Sequence, residues 1–149
     1  MKKRLGGLLL LVALFIGIVL LNRADVELKS QNGVELRRLS SSGFELETNA
    51  EFNNLNLLSS TLTRLHEKFF INGKSVGILN MELEQGIPGR KVTSFPVSLR
   101  IPVADLMDVI SDSSQQSVLL EIEGEVEYRN FTSGGKIKVQ VRDSVVLIQ

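Results

Sequence analysis

Hydrophobic and polar residues alternate along most of this chain. Phe44, Leu46, Thr48, Ala50 and Phe52 fall on one side of an extended backbone, and Glu45, Glu47, Asn49 and Glu51 on the other. Such a period of two marks a half-buried strand, because successive side chains point to opposite faces. A shorter alternation at Val34, Leu36 and Leu39 precedes it and stops at Ser40-Ser41-Ser42-Gly43. Asn53-Asn54-Leu55-Asn56 stops the longer one. The segment Leu57–Ile71 fits either period, since Leu58, Leu62, Leu65 and Phe69 also suit a helix face. Its Ser and Thr content and its Phe69-Phe70-Ile71 ending favour a strand. Asn72-Gly73 predicts a tight hairpin turn into a strand over Ser75–Leu83. After a loop around Gly86, Pro88 and Gly89, a strand is predicted over Val92–Ile101, where Pro96 implies an edge or a bulge. Pro102 suits the first position of a helix of about ten residues, with Val103, Leu106, Met107 and Ile110 on one face and Ser111-Asp112-Ser113-Ser114 closing it.

The clearest alternation comes last. Leu120, Ile122, Gly124, Val126 and Tyr128 are interleaved with Glu121, Glu123, Glu125 and Glu127. Beyond a loop at Asn130–Gly134, Ile137, Val139 and Val141 alternate with Lys136, Lys138, Gln140 and Arg142. A hairpin with Tyr128 opposite Gly135 sets Glu127 beside Lys136, Glu125 beside Lys138 and Glu121 beside Arg142. It also sets Val126 by Ile137 and Ile122 by Val141. Slipping the register by one residue would put the apolar set in water and undo the charge pairing. Val145–Ile148 reads as a final apolar strand. Short strands, frequent turns and one short helix predict an all-β chain folded as a sandwich of two layered sheets.

The start of the chain differs. Leu5 to Leu21 is a run of 17 residues without a charge. As a helix it is roughly 25 Å long, at the lower edge of what spans a bilayer. Leu5, Leu8, Leu11, Phe15 and Leu21 are the expected membrane anchor. Lys2, Lys3 and Arg4 are the basic flank, and with Arg23 they can snorkel to headgroup level. Basic residues before the run orient the N-terminus to the cytoplasm and the rest of the chain outward. A cleaved secretory signal shares this pattern. The run is longer than the usual signal core, and Asn22-Arg23-Ala24 offers no small-x-small site, which favours an uncleaved anchor. Ala13 and Gly17 form a small-xxx-small pair that suits helix packing, a spacing common by chance in such a helix. The organisation read from the sequence is an anchor at 1–21, a polar linker at 22–30 and a β domain at 31–149.

Charge and composition narrow the function. Basic and acidic residues number 17 each, but without Lys2, Lys3 and Arg4 the rest carries 14 against 17. A mildly acidic body without a basic patch argues against nucleic acid. The absence of cysteine excludes disulfides, thiolate metal sites, a cysteine nucleophile and a lipidated N-terminal cysteine. His66 is the one histidine, and its neighbour Glu67 would point to the opposite face of a strand, so the two cannot jointly chelate. His66 therefore reads as a surface residue. Ser40-Ser41-Ser42 has no nucleophile-elbow frame, and Gly134-Gly135 precedes no helix that would make it a phosphate cradle. The glutamates from Glu121 to Glu127 resemble a cation site, but the facing Lys136, Lys138 and Arg142 neutralise them. Asn130-Phe131-Thr132 has the form of a glycosylation sequon. No catalytic residue, cofactor or metal is expected.

Several local strings appear together in a familiar order: Phe52-Asn53-Asn54-Leu55, then "FFINGKSVG" at 69–77, "GIPGRKVTSFPVSLRIPVADL" at 86–106 and "IEGEVEY" at 122–128. With them, residues 34–148 resemble the late-embryogenesis-abundant type 2 family, the water-stress and hypersensitive-response domain. Where that family usually has Asn-Pro-Asn, Asn54 stands in the proline's place. The resemblance implies an immunoglobulin-like or fibronectin-like sandwich, no enzyme activity, and an association with desiccation or stress tolerance, often in exported or membrane-tethered form. The expected function is a non-catalytic, membrane-tethered module of the cell envelope that binds proteins or protects under stress. Its expected place is the inner membrane, as a single pass with the domain periplasmic or extracellular and an envelope membrane protein as partner. The alternative is a carrier that holds an apolar ligand or lipid between the sheets.

Overall fold

The computed structural model describes residues 2–21, 25–40, 43–109 and 117–148. The elements in chain order are α1 (Lys2–Leu21), β1 (Val26–Ser40), β2 (Gly43–Asn54), β3 (Ser60–Ile71), β4 (Lys74–Ile87), β5 (Val92–Pro102), α2 (Val103–Met107), β6 (Ser117–Arg129) and β7 (Gly134–Ile148). The strands make two antiparallel layers. One has the order β1-β2-β5 and the other β4-β3-β6-β7. A short parallel bridge, Leu36 opposite Leu147 and Arg37 opposite Ile148, links β1 to β7.

The core lies between the layers and is filled by the inward half of each alternation. Leu46, Ala50 and Phe52 of β2 meet Leu65, Phe69 and Ile71 of β3 and Ile122 and Val126 of β6 there, all buried. Phe44 is only half-buried against that cluster. The β6–β7 hairpin has the predicted register: Tyr128 faces Gly135, Glu127 faces Lys136, Glu125 faces Lys138, Glu121 faces Arg142, Val126 faces Ile137 and Ile122 faces Val141. Asn72 and Gly73 turn the β3–β4 hairpin with φ of 50° and 80°, the left-handed pair that its twist requires. The ambiguous segment is strand, as β3. Pro96 sits on β5, a terminal strand of the sheet order.

Three expectations change. Strand β1 begins at Val26, so residues 26–30, predicted as linker, pair with β2 from Val26–Asn54 onward. Register shifts at Leu28/Ser30 and Asn32/Glu35, the second around Gly33 with φ 66°, break the period that would have shown it. Helix α2 spans five residues rather than about ten; Pro102 at its N-cap makes no side-chain cap and Leu106 is its buried residue. The final apolar run is not a separate strand but the end of β7. Helix α1 contains the whole predicted anchor (Leu5, Leu8, Leu11, Phe15, Leu21) and its basic flank (Lys2, Lys3, Arg4). Leu11 and Phe15 are exposed. Among the residues whose side chains are described, no helix is long and apolar enough to cross a membrane. Asn22-Arg23-Ala24, Ser41-Ser42 and Ile110–Ser114 lie outside the described residues.

Candidate functional site

The parallel bridge uses only the ends of β1 and β7. On the side away from their antiparallel partners, Val26–Glu35 of β1 and Gly134–Val146 of β7 have no strand partner among the described residues. Between these open edges lies a cleft of about 770 Å³, lined by Val26, Leu28, Leu55, Tyr128, Ile137 and Lys138 among others. Its floor is fixed by Tyr128, whose hydroxyl donates to Asp25 Oδ1 at 3.1 Å. Burial and that bond to a carboxylate push the phenol of Tyr128 above its usual range. Gly135 is required opposite the ring, since a Cβ there would lie 2.6 Å from the tyrosine oxygen. Backbone donors and acceptors along two open edges, an apolar floor and a lysine-bearing rim together suit an extended peptide.

Two clusters of buried polar side chains lie away from this cleft. The first is Glu67, fully inaccessible on the inner face of β3. A register shift between Leu62 and Arg64 changes the phase of β3 and turns Leu65, Glu67 and Phe69 inward. Gln31 from the opposite layer donates Nε2 to Glu67 Oε2 at 3.5 Å. Glu67 Oε1 and Gln31 Oε1 have no partner among the described residues. Burial, only partly offset by the Gln31 bond, pushes the Glu67 carboxyl up to about 7. The neutral carboxyl, which brings no charge into the core, is the form that burial favours. Gly124 lies opposite Glu67 on β6, and a Cβ there would come within 2.1 Å of the His66 carbonyl oxygen.

The second is a knot that joins two loops. Asn54 is fully buried; its Nδ2 donates to the carbonyls of Leu58 (3.1 Å) and Ile87 (2.9 Å). Its Oδ1 accepts from the Asn56 backbone N–H, Asn56 Nδ2 and Ser60 Oγ. The Arg90 amide donates to the carbonyls of Asn54 and Asn56, which ties the β2–β3 loop to the β4–β5 loop.

On the outer face of the β4-β3-β6-β7 layer, charges alternate in rows across the strands. Lys136 Nζ lies 2.6 Å from Glu125 and 3.3 Å from Glu127, and Arg142 Nε lies 3.3 Å from Glu121. The Lys136 bond holds the Glu125 carboxyl below its usual range and the Glu125 bond raises Lys136. His66 lies half-buried in this face, Nδ1 2.9 Å from Asn80 Oδ1, while Glu67 points the other way. Among the described residues no three His, Asp or Glu side chains gather as a metal site. Asn130 Oδ1 accepts from the Thr132 and Ser133 amides and so shapes the β6–β7 loop. Sequence reading missed the Glu67–Gln31 pair and the Asn54 knot; the Asn-rich stop at 53–56 was a visible signal for the knot alone.

No family model matches the chain, and no curated protein does. Among solved structures, a protein of Archaeoglobus fulgidus is similar over 83% of this chain and 99% of its own, with a TM-score of 0.61 at 13% identity. AT1g01470 of Arabidopsis thaliana is similar over 83% of this chain and 85% of its own, with a TM-score of 0.70 at 12% identity. At such identities the likeness shows the fold.

Proposed function

We propose that this chain is a non-catalytic β-sandwich of the immunoglobulin/fibronectin-III type, tethered to a membrane through α1, that binds an extended segment of an envelope protein in the cleft between β1 and β7. The observation that carries the reading is the pair of open strand edges beside one cleft. The 17-residue uncharged run inside α1, with basic residues before it, supports a single inner-membrane pass with the β domain outside. Four residues separate α1 from β1. Fully extended, that connection reaches at most about 18 Å, so partners at the membrane are favoured. The resemblance to the late-embryogenesis-abundant type 2 family supports a stress-protective role for such binding. Side chains packed between the layers, Phe52, Phe69 and Leu65 among them, favour surface binding over an apolar ligand carried inside.

The test is photo-cross-linking in intact membranes from Lys138, on the cleft rim, with Lys68, exposed on the outer face of β3, as control. Discrete adducts from position 138 and none from 68 are expected, identified by mass spectrometry. No adduct from 138, together with a deletion that changes no envelope or drying phenotype, would overturn the proposal.

A further inference from the structure

One end of the sandwich differs from the other in its surface. The end that receives the chain from α1 gathers the start of β1, the β2–β3 loop at 55–59, the β4–β5 loop at 88–91 and the β6–β7 loop at 130–133. Register places them together. Val26 pairs with Asn54, Ser60 with Ile87, Asn53 with Val92 and Thr61 with Arg129. The loops expose apolar side chains: Phe131 is 63% exposed, Leu57 46%, Val92 44% and Leu58 39%. Arg90, Lys91 and Arg129 are exposed around them.

Among the described residues these three cations form no ion pair. Ion pairs among the described residues use Lys29, Arg37, Arg64, Lys136 and Arg142. The two acids of this end, Asp25 and Glu27, accept from neutral donors, Tyr128 Oη and Asn53 Nδ2 (3.0 Å), rather than from these cations. Arg90 also holds a left-handed backbone, φ 58°, that Gly or Asn takes at lower cost. The Asn54 knot fixes the two loops that carry Leu57, Leu58, Arg90 and Lys91. Apolar loop tips flanked by three exposed cations, two loops being held by the Asn54 knot, match a bilayer interface with anionic headgroups.

We propose that this end of the sandwich is a lipid-binding face: Leu57, Leu58 and Phe131 enter the headgroup region of the bilayer that holds α1, and Arg90, Lys91 and Arg129 bind anionic headgroups around them. The proposal rests on the anchor reading of α1. The four-residue connection between α1 and Val26 keeps this end within reach of that surface. Seating the domain there orients the β1–β7 cleft, whose wall includes Leu55 and Asp25, beside the membrane.

The chain has no cysteine, so single reporters can be introduced cleanly. The full chain is reconstituted in vesicles of phosphatidylcholine with phosphatidylglycerol, or of phosphatidylcholine alone, each with a trace of spin-labelled lipid. An environment-sensitive fluorophore is attached to Phe131→Cys, Leu57→Cys, Ser75→Cys near the far hairpin turn, or Leu11→Cys in α1. Expected is strong quenching at 11, 57 and 131 and none at 75, with quenching at 57 and 131 weakened without phosphatidylglycerol. In the triple variant Arg90→Gln, Lys91→Gln, Arg129→Gln, the ratio of seated to free domain falls about fivefold for each charge removed. Quenching at 11 without quenching at 57 or 131 overturns the lipid-binding face and leaves the anchor standing. No quenching at 11 overturns the anchor and, with it, the seating of this face on the bilayer that holds α1. Equal quenching with and without the anionic lipid overturns the role of the three cations.

Discussion

Burial of Glu67 should make the stability of this domain fall as pH rises, and a one-atom-type change should abolish the effect. The side chain is fully inaccessible, has one long hydrogen bond from Gln31, and its carboxyl is pushed up to about 7 from an ordinary value near 4.5. Leu79, Gly124 and Val139 occupy its row across the inner face, so no charge on its own layer offsets the burial. Below about pH 4.5 the carboxyl is neutral in both the folded and the unfolded chain, and folding incurs no ionisation penalty. Between about 4.5 and 7 the unfolded chain has released the proton and the folded one still holds it. Each pH unit in that window favours unfolding by about 1.4 kcal/mol. Above about 7 both forms are ionised and the loss is complete, about 3 kcal/mol in all.

Glu67→Gln keeps the shape and removes the ionisation. The measurement is urea unfolding of the full chain in mild detergent, followed by far-ultraviolet circular dichroism from pH 4 to 8 for wild type and variant. Groups that titrate equally in both proteins cancel in the difference. The variant should match wild type to within about 1 kcal/mol at pH 4 and exceed it by about 3 kcal/mol at pH 8. A difference that stays flat across that range, or grows toward acid, would falsify the assignment of Glu67 as a buried carboxyl held neutral by its surroundings.

Other consequences follow from the same contacts. Asn54→Ala strands the buried Ile87 carbonyl, the part-buried Leu58 carbonyl and the donors of Asn56 and Ser60, and should lower unfolding free energy by about 3 kcal/mol in urea; a loss under about 1 kcal/mol would contradict the knot. Gly124→Val drives a side chain into the His66 carbonyl and the Glu67 backbone, so amide exchange along β3 should accelerate and folded yield collapse; normal protection at His66 and Glu67 would refute the close approach. Tyr128→Phe removes the bond to Asp25 and should cost about 1 kcal/mol, with faster amide exchange confined to the start of β1; unchanged exchange at Val26–Leu28 would remove the phenol from the cleft's support.

The parts of the fold that sequence made legible are those where two independent patterns agree on one register. In the β6–β7 hairpin the apolar set and the charge set each specify Tyr128 opposite Gly135, and a slip would violate both. Asn72-Gly73 was legible because few dipeptides take two left-handed residues in succession. The short parallel bridge between β1 and β7 left no such trace. Parallel partners lie far apart in sequence, and two paired positions are too few to impose a pattern.

Glu67, away from the cleft, shows why features set by breaks in the pattern, the candidate site among them, were harder to read than the layers. Beside His66, with Lys68 after it, it looks like part of a charged outer face. The bulge between Leu62 and Arg64 shifts the phase of β3 by one residue, and everything after it changes sides. The same kind of irregularity in β1, around Gly33, lets one strand pair with β2 along its length yet reach β7 only at its end. That partial pairing is what leaves two edges open and makes a cleft. The cleft and the buried carboxyl both arise where the alternation breaks, so the alternation specifies the layers and the breaks, placed in space, specify the cleft.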